Sequence, residues 1–252
     1  MFDLQKASML KRASAWLLDV ILLSVLATGF ALLLSAAFGY DNYNDNLQRY
    51  YTEYEQLYGI DFNISDEEYL ALGEEDRLRY ADAYAKLNDD AEVSRAFSII
   101  IQLSLAIMSL SVLLAYMALE FAIPVWLKNG QTVGKKIFGL AVMRTDSVRV
   151  KPIAMLIRTL LGKNTIETMA PLLIIFLILF GSLGTVGLIM LAALALLQIV
   201  LIAATRTNSA IHDILAQTVV VDMESQMIFD SAREREARRR EYAEADSARW
   251  GQ

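Results

Sequence analysis

The chain has 252 residues, a formal net charge of −6 and a hydrophobic fraction of 56%, which exceeds the roughly 45–50% of soluble domains. Its apolar residues are concentrated in blocks, and this pattern predicts a membrane protein rather than a soluble one. The absence of cysteine excludes disulfides, thiolate metal sites and cysteine nucleophiles.

The first predicted element, residues 1–38, comprises the N-terminus and a first membrane span. The stretch Ala13–Phe38 is long enough to cross a bilayer as a helix, which needs about 20 mostly apolar residues. Asp19 is its one ionisable side chain. A carboxylate there costs roughly 2.5–3.5 kcal/mol, so Asp19 is expected to face the protein interior, meet a partner or have a function. A cleaved signal peptide is disfavoured because the apolar run is too long and contains Asp19.

Residues 39–96 are predicted to form an acidic helical loop outside the cytoplasm. From Tyr40 to Ala96 the segment has five basic and fifteen acidic residues, and it holds nine of the eleven tyrosines. Ser65 and Glu68 fit a capping box, which predicts a helix continuing to about Leu87 after a first helix at about Asn44–Tyr58. The carboxylates of this hairpin either concentrate cations near a pore mouth or form a solvated acidic face.

The second span is predicted at residues 97–127 and is interrupted by Glu120 and Pro124. It is longer than a bilayer requires, so it is expected to be tilted, kinked near Pro124 or partly outside the membrane.

Residues 128–164 form a basic segment that is predicted to lie on the cytoplasmic membrane surface. Within it, Lys136–Met143 suits a short helix or strand, and Val148–Val150 alternates like a strand. Pro152–Leu161 resembles an interfacial helix that begins with proline. Several lysines in this segment favour contact with anionic lipids of the inner leaflet.

The apolar region 165–205 is about twice the length of one span, and Glu167 is its one ionisable residue. It predicts a third span at about Ile166–Phe180 and a fourth at about Leu188–Thr205, with a glycine-rich turn between them. Alternatively, these glycines allow close helix packing within the spans, or part of the region is re-entrant.

Residues 206–222 form a cytoplasmic closing segment, and residues 223–252 a charged helical tail. Gln217–Asp222 looks like a strand that could pair with Leu140–Met143. The tail has oppositely charged residues four apart, which favours a solvated helix. Contact of the tail with a protein partner or a lipid surface is the alternative.

The distribution of lysine and arginine predicts the orientation of the spans. The N-terminus has three such residues, Lys128 to Lys163 has eight, and the chain from Arg206 onward has seven. Four spans place all three basic regions in the cytoplasm, whereas three spans would send the tail outside. The predicted fold is therefore an all-α polytopic membrane protein with about four transmembrane helices, cytoplasmic termini and a small interfacial cytoplasmic segment with possible short strands.

Four motifs in this order resemble the RDD family of bacterial membrane proteins, which is named for one arginine and two aspartates. Arg12 is followed seven residues later by Asp19 in the first span. GQTVGK at residues 130–135 and GLAV at residues 139–142 look like the family's GQTxGK…GLxV motif. Arg158 begins a segment similar to the family's next arginine segment. HDILAQTVV at residues 212–220 resembles the closing HDxLAxTxVV motif, with Asp213 as the second aspartate.

The resemblance covers Arg12 to about Val221 and leaves the acidic loop and the tail unexplained. It departs from the family pattern at Val133, where proline is frequent, and at Gln217, where a small residue is frequent. Transport is the usual suggestion for the family, and cation/proton antiport has been proposed for some members. The resemblance implies a charge motif of Arg12, Asp19 and Asp213, and the supporting residues are Arg158, His212 and Lys135.

Two carboxylates on neighbouring spans are expected to lie at similar depths. If Arg12 lies at the cytoplasmic interface, Asp19 is about 10 Å inward. Glu120 precedes Lys128 by eight residues, so it lies about 12 Å inward from the same side. Close together in a low dielectric, Asp19 and Glu120 could hold one proton that a cation replaces, which makes them a hypothetical ion or proton site. The alternative is structural, with Asp19 capping a backbone or bridging to Arg158, Arg12 or the Asp213 segment.

The leading functional hypothesis is a transporter of a cation or small solute, with proton coupling through Asp19 and Glu120. Four spans are few for a solute path, so a homo-oligomer is expected. The alternative is a non-catalytic membrane scaffold or assembly factor whose charged residues are structural.

An enzyme is not expected, because no nucleophile motif accompanies the His212–Asp213 pair. No catalytic residue, metal site or cofactor is predicted, and GQTVGKK is one residue short of a phosphate loop. The expected partners are the bilayer, anionic lipids at the cytoplasmic face, further copies of the chain and a possible protein partner for the tail. No nucleic acid is expected, because the basic residues are scattered among apolar anchors. The expected location is the inner cell membrane.

Overall fold

The computed structural model describes residues 7–250, and within them all side chains except those of residues 246 and 248–250. Among these residues, four helices are long and apolar enough to cross a membrane. They are span 1 (Met9–Phe38), span 2 (Ala91–Trp126), span 3 (Pro152–Leu179) and span 4 (Gly184–Ala204). Many of their large apolar side chains are exposed, such as Leu33 at 68% and Leu179 at 77%. Lipid contact accounts for such exposure, and the predicted class with four membrane helices is confirmed.

Two of the spans contain stretches of π-helix. In span 2, helix α5 (Ala91–Tyr116) leads into π1 (Met117–Ala122) and then into the short helix α6 (Ile123–Trp126). In span 3, helix α8 (Pro152–Leu156) leads into π2 (Ile157–Met169) and then into α9 (Ala170–Leu179). Span 1 is the helix α1 and span 4 is the helix α10. π-Helices are rare, occur mostly as single turns and are frequent at functional sites, whereas π2 extends over 13 residues.

Span 3 begins earlier than the sequence predicted. The interfacial helix predicted at Pro152–Leu161 and the third span predicted from Ile166 belong to one continuous helix. The polar residues between them suggested a membrane surface, but Arg158, Lys163 and Asn164 are buried in protein contacts. The chain then turns at residues 180–183, where Gly181 has a φ of +70°.

The chain divides into two compact units, and the first of them is the acidic unit, Gly29–Ser111. It contains the helices α2 (Tyr40–Tyr58), α3 (Asp66–Ala71) and α4 (Glu74–Asp89). Its core is apolar and is flanked by tyrosines; the buried members are Leu47, Leu87, Val93, Ala96 and Ile100. The rings of Tyr51, Tyr80 and Tyr84 each pack against Phe62 at centroid distances of 5.7 to 6.2 Å.

The predicted long helix from Ser65 to Leu87 is interrupted. Its capping box is present, because the Ser65 backbone N–H donates to Glu68 at 2.8 Å and the Glu68 N–H donates to Ser65 Oγ at 3.3 Å. The helix ends at Ala71, however, because Leu72 and Gly73 adopt extended conformations. Glycine favours such a break, since it loses more conformational freedom in a helix than other residues.

The second unit, here called the charged unit, comprises residues 1–28 and 112–252, of which 7–28 and 112–250 are described. Outside the spans it contains α7 (Val133–Ile137), α11 (Ile211–Leu215) and α12 (Ala232–Trp250). Strands β1 (Leu140–Arg144) and β2 (Thr218–Asp222) pair antiparallel in a register from Leu140 opposite Asp222 to Arg144 opposite Thr218. The predicted pair of short strands is thus confirmed. The third predicted strand, Val148–Val150, forms single bridges to Met143 and Phe229 instead.

The orientation of the spans stays a prediction that cysteine labelling can test, since the natural chain has no cysteine. Asn63 and Ser225 are both exposed, one in the acidic unit and one after β2. We expect Asn63→Cys to react with an impermeant maleimide on intact cells and Ser225→Cys to react only after lysis. Equal labelling of both variants on intact cells, with a cytoplasmic marker protected, would contradict the predicted orientation.

Candidate functional site

Asp19 anchors span 1 to the GQTVGK segment. Its Oδ2 accepts a hydrogen bond from Thr132 Oγ1 at 2.5 Å, and its Oδ1 accepts one from the Gly134 N–H at 2.8 Å. Lys135 Nζ lies 3.5 Å from Oδ2. In α1, the buried residues are Ala15 and this aspartate, which is 8% exposed. A carboxylate at the first turn of α7 satisfies backbone donors that lack partners within that helix.

Gly134 permits this anchor because α7 lies directly on span 1. A Cβ atom at Gly134 would overlap the carbonyl oxygen of Ala15 and lie 2.8 Å from Asp19 Oδ1. Thr132 caps α7, since its Oγ1 accepts a hydrogen bond from the Lys135 N–H at 3.3 Å. The glycine and the threonine of the motif therefore have a packing role and a capping role.

The side chain of Lys135 extends from α7 towards Asp19 and Thr132. Its ammonium donates to Thr132 Oγ1 at 3.1 Å. Burial and repulsion by Lys163 lower the pKa of Lys135 to about 8, although Glu120 and Asp19 oppose this change. The charge of Lys135 is therefore easier to lose near neutral pH than that of an ordinary lysine, whose pKa is about 10.4.

The second aspartate of the charge motif, Asp213, forms a buried ion pair with Arg158. Arg158 is 1% exposed and Asp213 is 0% exposed. The same guanidinium nitrogen donates to Asp213 Oδ1 and to Thr218 Oγ1, and Arg12 lies 3.7 Å from Asp213 Oδ2. Burial alone would raise the pKa of Asp213, but Arg158, His212 and Arg12 hold that pKa well below its usual range. Asp213 is therefore an anion that joins spans 1 and 3 to β2.

A further buried ion pair joins π1 and π2. Lys163 Nζ lies 2.5 Å from Glu120 Oε1, and both side chains are at most 10% exposed. Thr159 Oγ1 also donates to the Glu120 carbonyl oxygen at 2.8 Å. The wider turn of π2 allows residues four and five apart to share one face, so Arg158, Lys163 and Glu167 can all meet partners in the protein.

Glu167 and His212 connect span 3 to the closing motif. His212 Nδ1 lies 2.8 and 2.9 Å from the two carboxylate oxygens of Glu167, and the His212 backbone N–H also donates to Glu167. Gln198 of α10 donates to the same carboxylate and accepts from the Ile211 N–H. Burial lowers the pKa of His212, so the neutral ring, with Nδ1 protonated, is the donor to Glu167 at neutral pH.

Charged side chains from these ion pairs line a cavity of about 840 Å³ within the charged unit. Apolar side chains also line it, from span 1 at Trp16, Val20 and Leu23, and from span 4 at Leu191 and Leu194. Cavities of roughly 300–1,000 Å³ with apolar walls and a few polar groups are typical ligand sites. Among residues 7–250, no group of three or more histidine or carboxylate side chains is placed to hold a metal ion.

The site residues that the sequence predicted all take part in these ion pairs and hydrogen bonds. Their partners differ from those expected for a shared proton site of Asp19 and Glu120. Asp19 and Glu120 both line the cavity, yet each pairs with its own lysine rather than with the other carboxylate. Asp19 binds the GQTVGK segment and not Arg158, Arg12 or Asp213. Sequence reasoning missed Lys163, Glu167 and Gln198 as site residues. Glu167 could have been found, since an ionisable residue inside a span marks a site by default.

The chain belongs to the RDD family, because the sequence model of that family matches residues 6–217. No curated protein and no solved structure matches the chain. Membership in the family and the four apolar helices together identify a multi-pass membrane protein. The match includes Arg12, Asp19 and Asp213, whose contacts are those described above.

The contact between Gly134 and span 1 predicts that Gly134→Ala destabilises the protein. Overpacking of a close contact costs about 1–3 kcal/mol, so the melting midpoint of the purified protein in detergent is expected to fall by several degrees. Gly29→Ala is the matched control, because a Cβ atom there would meet nothing within 4 Å. Equal midpoints for both variants would contradict the packing role of Gly134.

Proposed function

We propose that this RDD-family protein is a transporter of the inner cell membrane and that its charged cavity is the solute-binding site. The cavity itself carries this proposal. It lies among helices that are apolar enough to span a membrane, and it combines apolar walls with charged side chains. A ligand pocket in a soluble protein needs no lipid-facing helices. A path that carries a solute across a membrane, in contrast, must run between such helices.

Coupling to a proton or cation is assigned to the Glu120–Lys163 pair rather than to Asp19. Both oxygens of Asp19 accept hydrogen bonds from the GQTVGK segment, so a cation there would have to break the anchor. Glu120 depends mainly on Lys163 for its countercharge. An unpaired charge in the interior is strongly destabilising, so any motion that withdraws Lys163 requires a proton or a cation at Glu120. This exchange would couple a movement of span 3 to ion binding.

A non-catalytic scaffold is the second candidate, and the contacts of the family charges favour it. Asp19, Arg158 and Asp213 have their partners within the folded chain and hold the cytoplasmic elements against the spans. Under this alternative the cavity is a packing defect that lipid or a second chain fills. The two candidates differ in whether Glu120 and Lys163 support ion movement.

Further parts of the proposal concern surroundings and assembly. We expect a homo-oligomer, because four spans surround a solute path incompletely. Exposed Lys128, Lys136 and Lys151 suit anionic lipid headgroups at the cytoplasmic face, and α12 suits a protein partner because its exposed surface is charged. We propose no enzymatic activity, because the buried carboxylates of the described residues are engaged in ion pairs and hydrogen bonds that join elements of the fold.

Reconstitution in liposomes tests the transport proposal. We expect an internal pH dye to respond to imposed gradients of sodium, potassium or lithium with the natural protein. We expect the rate of the double variant Glu120→Gln/Lys163→Gln to be at least about tenfold lower. When both side chains are neutral, separating them requires no proton or cation at residue 120, so the movement is no longer coupled to an ion. The folded yield of the double variant is expected to persist, whereas Glu120→Gln alone leaves Lys163 unpaired at a cost of about 3–5 kcal/mol.

Glu224→Gln is the matched control, because Glu224 is exposed after β2 and outside the cavity. It is expected to leave the rate unchanged. A well-folded natural protein with no proton movement in any gradient would overturn proton-coupled cation transport and favour the scaffold. An active double variant would remove Glu120 and Lys163 from the coupling mechanism.

A further inference from the structure

We propose that the cavity of the charged unit binds an amphiphile whose headgroup accepts hydrogen bonds through phosphate or carboxylate oxygens and whose hydrocarbon part lies between spans 1 and 4. This proposal deepens the proposed function by naming the solute class, and it rests on the cavity being a ligand site. Three observations support it: the two kinds of side chain that line the cavity, the spare hydrogen-bond donors of Lys163 and Arg12, and the charge balance of the cavity.

The cavity is lined by both charged and apolar side chains. Lys163, Arg12 and Glu120 are among the charged ones, whereas Val20, Leu23 and Leu191 are among the apolar ones. A fully polar solute would leave the apolar walls uncovered, and a pure hydrocarbon would leave the charged side chains without partners. A molecule with one polar head and one apolar part provides partners for both kinds of side chain.

Lys163 and Arg12, which line the cavity, have more N–H donors than their partners use. A lysine ammonium has three N–H donors, and among residues 7–250 the partner of Lys163 is Glu120. Arg12 has five N–H donors, and its partners in the same range are the Thr207 carbonyl oxygen and Asp213. By contrast, both oxygens of Glu167 lie against His212, and the Gln198 amide oxygen accepts from Ile211. A ligand with acceptor oxygens therefore finds spare donors on Lys163 and Arg12.

The charges around the cavity favour the same class of headgroup. Four cations, Arg12, Lys135, Arg158 and Lys163, are balanced by the four anions Asp19, Glu120, Glu167 and Asp213 when His212 is neutral. A cationic headgroup would have to displace Lys163 or Arg12 from these anions. Phosphate and carboxylate oxygens can instead accept from the spare N–H groups of Lys163 and Arg12 without breaking either ion pair, and such charge-assisted hydrogen bonds are strong.

Two sources of this chemistry are available to a membrane protein: a phospholipid of the bilayer or a separate amphiphilic solute. Both present the same acceptor oxygens next to a hydrocarbon part. Mass spectrometry of lipids released from the protein purified from membranes distinguishes them. A phospholipid that copurifies with the natural protein but not with the Ala195→Trp variant identifies the bilayer as the source. Binding of an added amphiphile to protein that carries no copurified phospholipid identifies a separate amphiphile as the source.

Binding is tested by native mass spectrometry of the full chain in maltoside, titrated with dodecyl phosphate and with dodecyltrimethylammonium. We expect one dodecyl phosphate to bind per chain. We expect the affinity for dodecyltrimethylammonium to be about tenfold lower. Ala195→Trp is expected to weaken dodecyl phosphate binding by about tenfold or more, because Ala195 lines the cavity. Glu120→Gln/Lys163→Gln is expected to weaken it by about tenfold, the equivalent of ~1.4 kcal/mol, because it removes the ammonium donors.

Ala193→Trp is the matched control on the same helix, since Ala193 is exposed and does not line the cavity. It should bind dodecyl phosphate as the natural chain does. Equal affinity for the two probes, or equal binding by the Ala195→Trp and Ala193→Trp variants, overturns the proposal. Binding needs no ion gradient, so binding without proton movement would refute proton-coupled cation transport alone, and proton movement without binding would refute the amphiphile alone.

Discussion

Asp19 must find hydrogen-bond donors because it lies in an otherwise apolar helix, and much of the charged unit follows from how it does so. Its donors are Thr132 and Gly134, so α7 is held against span 1. β1 follows α7 in the chain and pairs with β2. β2 in turn follows α11, whose Asp213 meets Arg158 and Arg12. Arg12 belongs to span 1, so this series of contacts begins and ends at span 1. Each buried charge in the series has its partner on another element, because an unpaired buried charge is strongly destabilising.

The π-helices explain how span 3 can hold three ionisable residues and still be buried on one side. A turn with wider spacing brings Arg158, Lys163 and Glu167 towards separate partners on α11 and π1. Close approach is needed as well, since a Cβ atom at Gly162 would overlap the Cα and Cβ atoms of His212. Lys163, Glu167 and Thr168 of π2 also line the cavity.

The charged residues form two groups that differ in how many hydrogen bonds and ion pairs each side chain makes. Asp19 and Asp213 accept several hydrogen bonds each, and their removal would release whole elements from the spans. Glu120 and Lys163 depend chiefly on each other and face the cavity. Under the proposed function, the aspartates of the family motif serve the architecture, and the less constrained pair of Glu120 and Lys163 serves ion or ligand chemistry.

The sequence by itself determined the membrane class, the four spans, the capping box at Ser65 and the pairing of two short strands, because each depends on local periodicity or on residues close in the chain. It also identified Asp19 and Glu120, since a carboxylate in an apolar run is costly wherever its partners lie. Only the tertiary structure decided those partners. Lys163 looked like a surface residue until π2 brought it to Glu120, and Gly134 gained its role from Ala15 on another helix. Such contacts join residues more than 40 positions apart, and no local pattern specifies them.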